Sequence, residues 1–174
     1  MERIVVIGPP GAGKSIFADR LGRLLRIDVF HLDAIFWESG APPVPAEWAV
    51  RERELIEREQ WILDGNYSQT LRPRLTAADT AVFLDFPTAL CLARYVRRRL
   101  THRRRPVPGM AEARRPHVSW RAVRGIVTFR RDHRSSFLTA LSEADDLDVV
   151  VLQRPRDVEG FLTSLHAANR PQRP

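Results

Sequence analysis

The apolar run Ile4-Val5-Val6-Ile7, followed directly by Gly8-Pro9-Pro10-Gly11-Ala12-Gly13-Lys14-Ser15, constrains the fold more than any other stretch of this chain. Four consecutive apolar residues ending at glycine read as a strand buried on both faces, the condition found in parallel sheets. The next eight residues have the form Gly-x-x-x-x-Gly-Lys-Ser. Glycines there permit positive φ and leave room where a Cβ would clash, so successive N–H groups can line one concavity at the start of a helix. Such a concavity suits a polyphosphate. Lys14 would bring a point charge to the β- and γ-phosphates, and the Ser15 hydroxyl a ligand for magnesium. The bland alternative is a tight glycine turn with a solvated lysine. Lys14 is the single lysine in a chain whose other strong bases are all arginine, and its place inside this loop favours the phosphate site.

The remaining elements follow from periodicity. Phe17, Leu21 and Leu24 predict a helix from Lys14 to about Leu25. Ile27–Phe30 reads as a second strand, residues 38–45 as a loop, and Ala46–Glu59 as a helix turning Trp48, Leu55 and Ile56 inward. Trp61–Leu63 and Ala81–Leu84 are short strands, each ending in an aspartate, Asp64 and Asp85. A helix from about Thr88 to Arg105 would face the core with Leu92, Val96 and Leu100. A second, from about Ser119 to Leu141, would bury Val123, Ile126, Val127, Phe137 and Leu141. Between them, Pro106, Pro108, Gly109 and Pro116 forbid a continuous helix. Leu147–Leu152 is a fifth strand, and a last helix opens with Pro155 and carries Val158, Phe161, Leu162 and Leu165 on one face. Strands alternating with helices predict a three-layer α/β/α fold around a five-stranded parallel sheet. One domain is expected over residues 1–170, with a flexible tail at 171–174.

Composition narrows the setting. With 44% hydrophobic residues in 174, the chain can bury a core of its own. The lone Cys91 lies in an apolar helical pattern and reads as a buried structural thiol. No signal-peptide core and no apolar run of roughly 20 residues is seen near the start. A cytoplasmic protein without a membrane stage is the expectation. The formal charge is +7, and between Arg94 and Arg134 only Glu112 and Asp132 oppose the arginines, a local field that would attract nucleotide phosphates or nucleic acid.

Four blocks carry a family resemblance: the Gly8–Ser15 loop, His31-Leu32-Asp33-Ala34-Ile35-Phe36-Trp37, Trp61-Ile62-Leu63-Asp64-Gly65-Asn66-Tyr67, and Phe129-Arg130-Arg131-Asp132-His133-Arg134. Over essentially its whole length the chain resembles adenylate-kinase-like P-loop kinases, and more closely the small bacterial proteins labelled topology modulation protein. The resemblance implies the P-loop NTPase fold with ATP and Mg2+ as cofactors. It places nucleotide on Gly8, Pro9, Pro10, Gly11, Ala12, Gly13, Lys14, Ser15 and Ile16. It puts Asp64 near magnesium, Arg94 near adenine and Arg98 on the transferring phosphate. Arg130 or Arg131, together with Arg134, would follow a short lid at 103–117, and Arg154 would lie beside the adenine in the loop after the fifth strand. A lid with no cysteine cannot be of the zinc type. In adenylate kinases two arginines hold the acceptor monophosphate; Phe36 and Ser68 occupy those positions here. Arg72 or Arg74 from the next helix could replace them, or the acceptor is something else.

Other residues are weighed on their own chemistry. Arg94 and Arg98 lie one turn apart and can share a helix face, a donor set suited to phosphoryl transfer; a solvated arginine face is the alternative. Asp33 ends a strand and could orient or deprotonate an acceptor hydroxyl, or hold a magnesium-bound water. Asp64 could equally serve as a turn or helix cap, and Asp85 reads first as a helix-entry residue. Phe36, Trp37 and Tyr67 could wall an acceptor pocket or pack in the core, with Gly65, Asn66 and Arg72 beside them. His31 lacks a partner at metal-ligand spacing. His102, His117 and His133 read as anion contacts or solvated groups.

The combined expectation is an ATP- and Mg-dependent phosphotransferase acting on an unidentified small-molecule acceptor, with Lys14, Asp33, Arg98 and Arg134 as catalytic groups. Two alternatives stand beside it: an NTP-binding regulatory protein that contacts nucleic acid, less favoured because no recognition module is visible, and an NTP hydrolase working with a protein partner.

Overall fold

In the computed structural model, residues 1–101 and 119–169 are described. The expected lid, with His102 and His117, and the expected tail lie outside the described residues. The order of elements is β1 (Arg3–Ile7), α1 (Lys14–Leu25), β2 (Val29–His31), α2 (Leu32–Phe36), α3 (Pro45–Ile56), β3 (Trp61–Asp64), a 3-10 turn (Ser68–Thr70), α4 (Leu71–Ala77), β4 (Thr80–Leu84), α5 (Thr88–Thr101), α6 (Trp120–Asp132), α7 (Arg134–Ser142), β5 (Asp148–Leu152) and α8 (Pro155–Ala168).

The five strands form one sheet in the order β2-β3-β1-β4-β5, with all pairs parallel. Val6 of β1 and His31 of β2 both pair with Asp64 of β3, so these residues stand level across the sheet. The chain leaves β1 for one side and later crosses to the other, and loops after β1, β3 and β4 meet at the carboxyl edge, where open α/β sheets bind their ligands.

One apolar cluster fills each face of the sheet. On the first, Ile4, Val6, Ile62, Val82 and Leu84 pack against Phe17 and Leu21 of α1, Cys91 and Tyr95 of α5, Ile126, and Val158 and Leu162 of α8. On the second, Val5, Ile7, Leu63, Ala81 and Phe83 meet Trp48, Leu71, Leu75, Phe129, Phe137 and Leu141. This alternation is the strand period of two, and it explains why β1 and β4 contain continuous apolar runs. Helix α1 can lie so close to β2 because Gly22 faces it: a Cβ there would come within 2.4 Å of Val29.

Several expectations are corrected. The second strand runs from Val29 to His31, not from Ile27 to Phe30, and Ile27 packs below it. On α5 the buried stripe is Cys91 and Tyr95; Leu92 and Val96 are only partly covered and Leu100 is 67% exposed. Val127 is 52% exposed, because the inward face of α6 is Ile126 and Phe129. The expected single helix from 119 to 141 breaks at His133 into α6 and α7. Ser119 caps α6 by accepting from the Ala122 N–H at 3.4 Å, and its own N–H donates to the Tyr95 hydroxyl at 3.1 Å.

Candidate active site

Three positive-φ glycines shape the loop after β1: Gly8 (149°), Gly11 (83°) and Gly13 (93°). Space is as restrictive as angle. A Cβ at Gly8 would lie 2.7 Å from the Leu84 carbonyl oxygen, and one at Gly11 2.4 Å from that of Cys91. The loop is therefore wedged against the end of β4 and the first turn of α5. Cys91, whose thiol is pushed up by burial, serves this packing rather than nucleophilic chemistry.

Side chains finish the loop's framing. The Asn66 amide spans the Gly8 peptide unit, accepting from Gly8 N–H at 3.1 Å and donating to its carbonyl at 2.9 Å. Arg94 donates to the Ala12 carbonyl at 2.8 Å and lies over the Phe86 ring at 5.0 Å. Lys14 folds back so that Nζ donates to the Gly8 carbonyl at 3.0 Å. Neutral carbonyls are weak partners for an ammonium compared with phosphate oxygens. The sequence placed Asn66 at the acceptor and Arg94 at the adenine; in the structure both touch the loop itself.

Asp64 is buried at the end of β3. Its Oδ2 is 3.0 Å from His31 Nδ1, while His31 Nε2 is 3.0 Å from Asp19 Oδ1. The Asp64 carboxylate holds His31 above its ordinary pKa against partial burial, and Asp19 adds to the effect. Among the described residues, nothing hydrogen-bonds the buried Asp64 Oδ1. No group of three or more His, Cys, Asp or Glu among them is arranged to hold a metal. The chemistry of one unsatisfied carboxylate oxygen fits a magnesium ion held mainly by phosphates and water, the usual manner of that ion, and not an all-protein cage.

At the other side of the loop, Asp85 is buried and accepts from Arg134 in bidentate fashion, Nη2 to Oδ2 at 2.7 Å and Nε to Oδ1 at 3.0 Å, with Arg130 Nη2 at 3.9 Å from Oδ1. Asp85 is thus more than a helix-entry residue: it fixes the direction of Arg134. Arg98 is partly buried, its guanidinium 6.0 Å from the Tyr95 ring centre. Arg131 pairs with the adjacent Asp132 at the surface. Arg154 stands exposed at the start of α8, at the carboxyl end of β5, where its N–H donates to Asp157 at 2.8 Å. Ile16 is 66% exposed on α1.

Around the expected acceptor pocket, Phe36 contacts Trp37, Trp48 and Tyr67 with ring centroids 5.3, 5.0 and 5.0 Å apart. The structure thus gathers Trp37 and Tyr67 about Phe36 and adds Trp48. The Tyr67 hydroxyl is pushed up first by burial, then by the charge and hydrogen bond of Asp33, which puts that exposed carboxylate beside the phenol. Gly65 has φ 152°, and a Cβ there would press on Leu32.

Beneath this cluster Arg74, weighed from the sequence only as a substitute clamp, is paired with Glu52, which the sequence did not single out. Arg74 is fully buried, donating to the carbonyls of Gly65 (2.8 Å), Asn66 (3.0 Å), Tyr67 (2.9 Å) and Thr70 (3.3 Å), and it sits 3.5 Å from the buried Glu52. Burial lowers its pKa to about 10 against the pull of Glu52, whose own carboxyl burial pushes up. Arg74 is a loop staple, so it is not the substitute phosphate clamp it offered to be. Arg72 pairs with Glu143 at 2.6 Å on the surface, a contact that is cheap to break. The spacing of Trp48 and Glu52, one turn apart, was the available signal for the inward face of α3.

No family model matches the sequence, and no curated protein matches it. Solved structures do resemble the fold. A shikimate kinase from Acinetobacter baumannii in complex with shikimate superposes with a TM-score of 0.61 at 16% identity, covering 98% of this chain and 96% of that one. The shikimate kinase from Bacteroides thetaiotaomicron gives 0.57 at 15% identity, covering 96% and 97%, and that from Aquifex aeolicus 0.52 at 21%, covering 95% and 97%. At such identities the likeness concerns the backbone: the described residues have the α/β fold of P-loop kinases.

Proposed function

We propose that the protein is an ATP-dependent phosphotransferase acting on the hydroxyl of a small molecule. The observation that carries this is the loop Gly8–Ser15, held in a cradle by Asn66 and Arg94 with Lys14 folded across it. Fold neighbours that are shikimate kinases support an alcohol as acceptor. The four sequence blocks support a finer placement near the adenylate-kinase-related topology modulation proteins.

In this proposal the loop N–H groups and Lys14 bind the β- and γ-phosphates, while Arg98 and Arg134 offset charge on the transferring group, the main contribution a protein makes to such a reaction. Asp85 pre-sets the aim of Arg134, so its entropy is lost on folding and not at catalysis. Ser15 and Asp64 would hold magnesium, which supplies further charge neutralisation when bound. Asp33, tethered near Tyr67, accepts the proton of the acceptor hydroxyl or orients it. Arg94 and Arg154 border the nucleotide. The acceptor is not a nucleoside monophosphate gripped in the adenylate-kinase manner: Phe36 is packed among aromatic rings, Ser68 offers one hydroxyl, and Arg74 is consumed by carbonyls.

The test is a panel of shikimate, nucleosides, nucleoside monophosphates, sugars and aminoglycoside-like alcohols with ATP and magnesium. Phosphorylated product is followed by mass spectrometry and ADP release in parallel. Transfer to an alcohol is the expected result. Efficient transfer to AMP, CMP, GMP or UMP would refute the acceptor assignment, and ADP release without any phosphorylated product would replace the kinase with a hydrolase.

A further inference from the structure

The His31 ring joins two carboxylates that the phosphate loop does not need for its own framing. His31 and Asp64 are in register on adjacent strands, so the contact between Nδ1 and Oδ2 at 3.0 Å is set by strand pairing as much as by side-chain choice. Asp19, which takes the other nitrogen at 3.0 Å, lies on α1 one turn beyond Ser15. A carboxylate oxygen accepts, so the ring is held from both sides, with Nδ1 turned to Asp64 and Nε2 to Asp19. If this cluster were only a structural brace, Asp64 would be expected to have both oxygens satisfied. Instead Oδ2 is tied down and Oδ1 is left buried with no partner among the described residues, a state that is costly unless something else completes it.

We propose that His31 is a positioning residue for the cation side of the site: by holding Oδ2 it locks the rotation of the Asp64 carboxylate, so that Oδ1 alone is presented to a nucleotide-bound divalent cation. His31 touches neither nucleotide nor cation. Asp19 tethers the far side of the ring and keeps it from swinging away from Asp64. The arrangement resembles in principle the outer partners that orient metal-binding groups, whose loss commonly weakens metal binding 10- to 100-fold. The proposal rests on the assignment of Asp64 as the carboxylate that serves the cation.

Two isosteric substitutions separate positioning from packing. His31→Asn puts an amide N–H where Nδ1 is and keeps the bond to Asp64; His31→Gln puts it where Nε2 is and keeps only the bond to Asp19. Mn2+ serves as the probe, titrated into the full chain saturated with a non-hydrolysable ATP analogue and read by electron paramagnetic resonance, with thermal melts showing that each variant is folded. His31→Asn is expected to bind Mn2+ within about threefold of the wild type and His31→Gln about tenfold more weakly, while analogue affinity without metal stays unchanged in both. Equal Mn2+ affinity in the two variants, or the reverse order, would overturn the role given to His31. Asp64→Asn is the control for the underlying assignment: if it binds Mn2+ like the wild type, Asp64 does not serve the cation and the inference falls with it. Loss of binding in Asp64→Asn with no loss in His31→Gln would leave Asp64 in place and remove His31 alone.

Discussion

Arg74→Met removes a heavily engaged buried side chain while keeping an apolar group in its place. The guanidinium makes four hydrogen bonds to carbonyls between Gly65 and Thr70 and faces Glu52 at 3.5 Å from complete burial. Hydrogen bonds from a charged group contribute about 1.5–3 kcal/mol each, but four bonds from one group are not additive, and an opened loop can hydrate part of what is freed. Removing one partner of a buried ion pair costs about 3–5 kcal/mol, and that is the expected loss here. Glu52, left without its counter-charge, would take up a proton in place of remaining ionised. For a chain of this size the loss corresponds to a fall in Tm on the order of 10 °C. Urea unfolding of the wild type, Arg74→Met and the double variant Arg74→Met/Glu52→Leu gives the numbers. The double variant should lose less than the sum of the two singles, since no charge is then stranded. A loss below about 1 kcal/mol in Arg74→Met, accompanied by a weaker acceptor KM, would refute the staple and return Arg74 to the role of phosphate clamp.

Three further outcomes are expected. Asn66→Ala, which strips the Gly8 N–H of its partner and leaves the Gly8 carbonyl to Lys14 alone, should weaken ATP binding by about tenfold, or 1.4 kcal/mol, measured by calorimetry; unchanged affinity would mean the loop holds its shape without the amide. Arg98→Ala should lower kcat at least about tenfold, roughly 1.4 kcal/mol, with little change in ATP affinity, and equal turnover would demote it to a surface residue. Burial works against the charge of Asp79, yet bonds from Thr80 Oγ1 and from the N–H groups of Arg3 and Glu2 together hold its carboxyl below the usual range. A depressed folded pKa contributes stability above the unfolded value of about 3.9 that disappears as the pH falls through the folded one, so the stability gap between wild type and Asp79→Asn should be full at pH 7 and narrow at pH 3; a gap that widens in acid would contradict this.

What could be read from the sequence had local causes. β1, β3 and β4 announce themselves because strands buried on both faces need unbroken apolar runs, and the phosphate loop because its glycines answer to φ and to space that only glycine fills. The break at His133 carries no proline or glycine; it lets Arg134 begin a new helix and reach Asp85, 49 residues earlier in the chain. Asn66 looked like a reader of substrate because its two-sided fit to Gly8 depends on strand order, which brings residues 58 apart into contact. The burial of Arg74 and its pairing with Glu52 were hidden for the opposite reason, since charge patterns predict exposure and only the tertiary fold shows carbonyls enough to keep a guanidinium inside. Four-residue spacing on α5 pointed one residue off: Leu92 and Val96 lie beside the buried stripe, which is Cys91 and Tyr95.

The proposal that nucleotide phosphates occupy the loop is tested most directly by isothermal titration of ATP with magnesium into the wild type and Lys14→Ala, each verified as folded by its thermal melt. Among the described residues, the Lys14 ammonium bonds to the carbonyls of its own loop, Gly8 at 3.0 Å and Pro9 at 3.5 Å, so its removal should leave stability nearly intact. Saturable binding to the wild type and at least about a hundredfold weakening in Lys14→Ala, about 2.7 kcal/mol, is the expected result. Equal affinity in the two proteins would contradict it.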